Sequence, residues 1–225
     1  APAAALIAPN DSAEPAASEA PALIDKTPRV LSPAEQADQY YRNALSELKQ
    51  RRTQAAEADL RAALQHQPGH LKARELAVAL MVERGRATEA VTILQQGIEV
   101  APNHGPFAHW LARIYADQAQ DAKAVAVLEA AREQSTGDAD IAGLLATLYQ
   151  RGARHGDAIV SYRAALASKP SEARWWTGLG ISLEAERQWR EAAQAYGRAR
   201  ETGTLTPALA RFIDERLHSL NARHD

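Results

Sequence analysis

Apolar residues recur along this chain at spacings of three and four, the period of one helical face, and the pattern repeats every 34 residues. Ala56, Ala90, Ala124, Ala158 and Ala192 stand at successive intervals of 34. Each is followed four positions later by a large residue (Leu60, Leu94, Leu128, Tyr162, Tyr196) and seven later by a small one (Ala63, Gly97, Ala131, Ala165, Ala199). A second face keeps the same period: Ala77, Leu111, Leu145 and Leu179, then Val78, Ala112, Ala146 and Gly180, then Met81, Tyr115, Tyr149 and Leu183. Small residues at a fixed place on two successive helices mark a close approach, so the unit is a helical hairpin. The spacing predicts helix pairs over 34–50 with 54–66, 71–84 with 87–100, 105–118 with 121–134, 139–151 with 155–168, and 173–186 with 189–202. In the first unit Tyr41, Leu45 and Leu48 run one residue late against Ala56, which predicts an inter-helix turn one residue short.

Pro68, Pro102 and Pro170 close three of the units, because proline lacks the amide donor and its ring clashes with the preceding turn. Thr136 and Thr204 take its place in the other two, whose ends should be softer or longer. Beyond the fifth unit, Thr206 as N-cap and Pro207 at the first helical position start another helix. Leu209, Phe212, Ile213, Leu217 and Leu220 give it one apolar face to cover the last hairpin, while Arg211, Asp214 and Glu215 lie on its other face. The expectation is an array over 34–204 and a capping helix within 205–225.

The front of the chain breaks this pattern. Residues 1–33 hold six of the eleven prolines (Pro2, Pro9, Pro15, Pro21, Pro28, Pro33) among Ala, Ser and Glu, too little to bury against the ordering entropy. They read as a flexible Pro/Ala-rich tether. No run of roughly 18 to 20 apolar residues is present, and the first residue is Ala rather than Met, so the expectation is a piece of a longer protein with any membrane anchor upstream.

Charge and chemistry narrow the function further. Lys plus Arg is 26 against 28 Asp plus Glu, a formal net charge of -2, so no global field draws nucleic acid or anionic lipid. Cysteine is absent, which removes disulfides, thiolate metal sites and thiol nucleophiles and leaves the redox compartment open. Of the seven histidines, His66 and His70 are four apart but straddle Pro68 and Gly69, and none forms a metal-binding helical pair with Glu between. Gly178 and Gly180 look like half of a phosphate loop, but they sit inside a predicted helix with no strand before it. No nucleophile elbow occurs. No catalytic site, cofactor or metal is therefore expected. Trp176 and Trp189 fall at core positions, whereas Trp110 and Trp175 adjoin core positions and could instead anchor a ligand.

The 34-residue helical hairpin with small residues at the packing points and a closing proline resembles the tetratricopeptide repeat, over about residues 37–204. The resemblance implies an all-α right-handed superhelix of about five hairpins in which the first helix of each pair lines a concave groove that binds other proteins. The residues offset from the core stripe there are Arg42 and Lys49, then Lys72 and Glu75, His109, Arg113 and Asp117, Thr147, Gln150 and Arg151, and Arg174, Thr177 and Glu184. Arg113 and Arg151 are the leading candidates for ionic contacts, with His109 between them as a pH-sensitive one. The Lys and Asn pattern with which chaperone-associated repeats grip a C-terminal carboxylate is not reproduced.

The run Ala173, Arg174, Trp175, Trp176, Thr177, Gly178, Leu179, Gly180, Ile181, Ser182, Leu183, Glu184 is similar to the final repeat of the N-protein family of mannose-sensitive haemagglutinin type IV pilus biogenesis. So are Ala195, Tyr196, the link Thr202 to Leu205, and the ending Phe212, Ile213, Arg216, Leu217, Leu220. That resemblance implies an inner-membrane protein with one N-terminal span, a Pro/Ala-rich periplasmic linker and a C-terminal repeat domain serving pilus assembly. Its partners would be pilus or secretion components. Two alternatives stay open: a repeat domain assisting or fused to an envelope enzyme, and a pilotin-like lipoprotein. The sequence upstream of Ala1 would separate them.

Overall fold

The computed structural model describes residues 30–134 and 137–222. Nearly all of the expected tether lies outside these residues, as does Thr136. The chain divides into two units, Ala1–Leu31 and Ser32–Asp225. The second carries every described helix: α1 (Pro33–Lys49), α2 (Thr53–His66), α3 (Leu71–Glu83), α4 (Ala87–Val100), α5 (Gly105–Asp117), α6 (Asp121–Gln134), α7 (Ala139–Arg151), α8 (His155–Ser168), α9 (Ala173–Ala185), α10 (Trp189–Glu201) and α11 (Pro207–Asn221). The ten hairpin helices begin and end within one residue of the ranges the periodicity predicts. No strand occurs among the described residues, and no helix there is long and apolar enough to cross a membrane.

The five hairpin turns are built alike. Each has three residues, and the middle one is left-handed: Arg51 (φ 59°), Gly85 (71°), Ala119 (56°), Ala153 (55°) and Arg187 (60°). The residue after it donates its amide proton back to a carbonyl five positions earlier, as in Arg52 to Glu47 (2.9 Å), Arg86 to Met81 (2.8 Å) and Gln188 to Leu183 (2.8 Å). This closes the last turn of the first helix on itself and reverses the chain. Only the second hairpin uses glycine there, although a side chain at positive φ costs roughly 1–2 kcal/mol.

The first turn is thus as long as the others, which overturns the expectation of a turn one residue short. The in-step small residue is Ala44, fully buried like Ala112 and Ala146, whereas Leu45 is 37% exposed. Among the described residues α1 is the first helix, and its large apolar residues run out of step with those of the later units. The close-approach residue alone keeps the period. The end at Thr204 is longer, as expected: α10 stops one residue earlier than the other second helices, and the link 202–206 to α11 has five residues where 67–70, 101–104 and 169–172 have four. Thr202 Oγ1 ends α10 by donating to the Ala199 carbonyl at 2.8 Å.

Leu60, Leu94, Leu128, Tyr162 and Tyr196 are fully or almost fully buried, and the two tyrosines lie against glycines of α9. A Cβ on Gly180 would sit 2.7 Å from the Tyr196 ring, which is why this position and Gly178, under Tyr162, are glycine. Trp176, Trp189 and Trp175 pack around the C-terminal core, and Trp110 packs around Leu111 in a neighbouring cluster. Two side chains in equivalent places tie successive units together. Arg74, 3% exposed, donates to the carbonyls of Pro68 (2.7 Å) and Ile93 (2.8 Å), and three repeats later Trp176 Nε1 donates to the carbonyl of Pro170 (2.7 Å). In both, a donor from the next hairpin satisfies the carbonyl of the proline that closes the previous one.

Helix α11 continues the period. Pro207 lies 34 residues after Ala173, so α11 occupies the place of a first helix in a sixth unit, and Ile213, in step with Leu179, is fully buried with Leu220. At the small-residue position stands Asp214, exposed and ion-paired with Arg200. Thr206 caps the helix by accepting from the Leu209 amide at 3.3 Å.

Candidate protein-binding groove

Helices α5, α7 and α9, the first helices of the third to fifth hairpins, line an open groove of about 650 Å³. Their shared face follows from the repeat: residues offset from the core stripe by the same amount fall in one column across successive helices. From α5 come His109, Arg113 and Asp117, from α7 Asp140, Thr147, Gln150 and Arg151, and from α9 Arg174, Trp175 and Ile181. Tyr162 of α8 and Leu209 of α11 reach the same groove. Among the residues singled out from the sequence, His109, Arg113, Asp117, Gln150, Arg151 and Arg174 are brought together here.

Lys72, Glu75 and Glu184 lie elsewhere. Lys72 and Glu75 line a separate depression with Asp38, His70 and His104, where Glu75 and His104 Nε2 are 2.7 Å apart. Glu184 is turned toward the end of the array. Its carboxylate accepts from the Tyr196 hydroxyl (3.0 Å) and from Arg216 Nε of α11 (3.1 Å). Arg42 bonds within α1, to Gln39 at 2.8 Å.

Several groove residues are already satisfied. The Gln150 amide nitrogen donates to the Gly178 carbonyl (2.9 Å) and approaches Ser182 Oγ (3.0 Å), and its oxygen accepts from the Tyr162 hydroxyl (3.1 Å). Gln150 therefore clasps α7 to α8 and α9. Arg151 pairs with Asp121 at 2.9 Å and Asp140 with Lys169 at 2.7 Å. Thr177 is buried, with its hydroxyl on the Ala173 carbonyl at 2.8 Å. Arg113 and Asp117 are exposed and have no ion pair or side-chain hydrogen bond among the described residues. The Arg174 side chain is 83% exposed and only 3.6 Å from Glu172. His109 is half-buried. Burial pushes its pKa below the ordinary value, with Asp140 opposing and Arg113 reinforcing the shift, so the ring is neutral near neutral pH.

The groove floor has an aromatic feature. The Trp175 ring lies over Gly143 of α7, on ground a Cβ would occupy, and Leu144, Ile181 and Leu209 stand beside it. One free guanidinium (Arg113), one loosely paired one (Arg174), one free carboxylate (Asp117) and an apolar floor spread over three helices suit an elongated segment that offers both charge and apolar side chains. Asp140, Tyr162, Ile181 and Leu209 were not among the groove residues expected from the sequence. The signal for two of them is the period itself, since Ile181 follows Thr147, and Leu209 follows Trp175, by 34.

Two family models of the tetratricopeptide repeat match the chain, one over residues 47–108 and 82–148 and the other over 144–210. No curated protein matches it by sequence. Among solved structures, the crystal structure of MamA superposes with a TM-score of 0.63 at 18% identity, covering 75% of this chain and 92% of that one. YrrB, described as a TPR protein with an unusual peptide-binding site, gives 0.63 at 16% identity over 80% and 92%. Pseudomonas aeruginosa PilF gives 0.63 at 15% identity over 86% and 92%. Identities this low carry the fold alone. The 34-residue register, the recurring turn and the family match across residues 47–210 agree, and the chain belongs to the tetratricopeptide-repeat family.

Proposed function

We propose that this protein is a scaffold whose α5–α7–α9 groove holds a segment of a partner protein, and that it serves pilus or secretion-apparatus assembly from the periplasmic side of an inner membrane. The observation that carries the binding reading is the groove itself: around an apolar floor shared by three first helices, α5 presents Arg113 and Asp117 without ion-pair partners among the described residues and α9 presents Arg174, held only by Glu172 at 3.6 Å. A peptide-binding site in YrrB, a protein of the same fold, supports a segment as the bound form. The placement in pilus assembly rests on the resemblance of residues 173–184 and 212–220 to the pilus-biogenesis family, and the shared fold with PilF is consistent with it. The periplasmic location follows from the same resemblance.

Thr147 is the residue with which to test the groove, because it is exposed and central. Its hydroxyl donates to the Gly143 carbonyl of its own helix (2.9 Å) and lies 3.3 Å from the Tyr162 hydroxyl, so Thr147→Trp gives up that one contact while filling the groove: pull-down of inner-membrane pilus components should fall to background while stability drops by no more than about 1.5 kcal/mol, the net worth of one hydrogen bond. Undiminished capture by the folded variant would move the partner site off the groove.

A further inference from the structure

We infer that a crevice between the second helices α2 and α4, floored by α3, binds one medium-chain carboxylate, with the alkyl body between the helices and the carboxylate on Arg61. The crevice shares no residue with the groove and does not depend on the groove being a partner site. It arises where the second hairpin departs from the repeat. The third and fourth hairpins carry Leu111 with Tyr115 and Leu145 with Tyr149, whereas the second carries the smaller Ala77 with Met81. The space left is about 290 Å³, walled by Leu64, Ala77, Met81 and Ile93. It lies on the seam between two core clusters, one containing Leu60 and Ala77 and the other Met81 and Leu94, with Ile93 packed against both. An apolar cavity of about 150 Å³ holds one benzene, so this crevice has room for roughly ten carbons.

The same departure frees the cation at its rim. In the next two units the residue in the place of Arg61 meets the tyrosine hydroxyl of the following first helix: Gln95 Nε2 donates to Tyr115 at 3.4 Å, and Glu129 accepts from Tyr149. Met81 offers no hydroxyl, and Arg61 is exposed with no ion pair or side-chain hydrogen bond among the described residues. The carboxylate that shares the rim, Glu57, is already held by Arg84 at 2.7 Å and Arg86 at 2.6 Å. Even with Glu89, 3.5 Å from Arg86, included, three guanidinium groups face two carboxylates, a surplus of one positive charge. That surplus matches a singly charged head group, and Gln65 and Gln96 on the same rim add amide donors. An apolar slot ending at one unpaired guanidinium is complementary to an alkyl chain ending in one carboxylate.

The probes are octanoate, 1-octanol and butyrate, titrated calorimetrically into the full chain. Octanoate is expected to bind one to one. Octanol, of the same length without the charge, should bind about threefold to fivefold more weakly, the size of one exposed ion pair, and butyrate, four methylenes shorter, roughly a hundredfold more weakly. Arg61→Gln should erase the advantage of octanoate over octanol while leaving octanol binding unchanged. Ala77→Leu fills the crevice and should weaken octanoate at least about tenfold in a chain that melts no lower than the parent. If that variant folds poorly, the paired titrations of Arg61→Gln decide alone. Absence of saturable octanoate binding, octanol binding as tight as octanoate, an Arg61→Gln chain that keeps the preference, or a folded Ala77→Leu chain that binds octanoate like the parent overturns the inference.

Discussion

Arg74 shows how a single side chain can join two repeats. Its guanidinium is buried, and burial pushes its pKa down, yet among the described residues no carboxylate pairs with it and it is held instead by the Pro68 and Ile93 carbonyls. Gly97 leaves the room its stem needs, since a Cβ there would lie 2.5 Å from Arg74 Cδ. Arg74→Ala removes both donors and opens a void beside Gly97, so it should destabilise the chain by about 2–4 kcal/mol, read as a lower urea midpoint with an unchanged slope. Arg74→Met keeps most of the stem and should recover part of that loss. A parent-like midpoint for the Ala variant would mean that water replaces the guanidinium without cost. In the sequence an arginine among apolar neighbours looks like a surface residue. Only the equivalent Trp176, donating to the equivalent Pro170 carbonyl, reveals the shared task.

Among the elements, the second hairpin is the underfilled one. Where the later first helices carry Leu111, Leu145 and Leu179, α3 carries Ala77, and a crevice of about 290 Å³ opens among α2, α3 and α4, with Leu64, Met81 and Ile93 on its walls. The repeat has kept its register with a side chain too short to fill the space. Ala77→Leu should stabilise the array by about 0.5–2 kcal/mol, seen as a higher Tm, because the crevice can accept the added carbons. A lower Tm would show that α3 and α4 cannot accommodate the larger residue. The short side chain is legible from the period, but the crevice is not, because neighbouring helices could have closed onto it.

The whole array is stabilised by each hairpin resting on the next, and its C-terminal end depends on α11. Ile213 and Leu220 are fully buried, and a buried apolar side chain of this size contributes about 1.5–3 kcal/mol, so removing residues 206–225 should cost several kcal/mol and expose the apolar flank of the last hairpin. Thermal unfolding and light scattering of the truncated chain would show a lower Tm and association. A monomer with parent stability would make α11 an appendage. At this scale the sequence by itself determined the hairpin count, the helix limits and the close-approach positions. Each of these is a local consequence of a 34-residue period written in small and large residues. It also placed His109, Arg113, Asp117 and Arg174 on outward columns, since a helix converts spacing into direction. Tertiary structure alone decided which of those groups are free. Gln150, Arg151, Glu75 and Glu184 are bonded by Gly178, Asp121, His104 and Arg216, partners about 28 to 32 residues away that no local pattern announces. Leu209 likewise acquires its place beside Trp175 only when α11 folds onto the end of the array, because a shared groove depends on how separate helices are stacked.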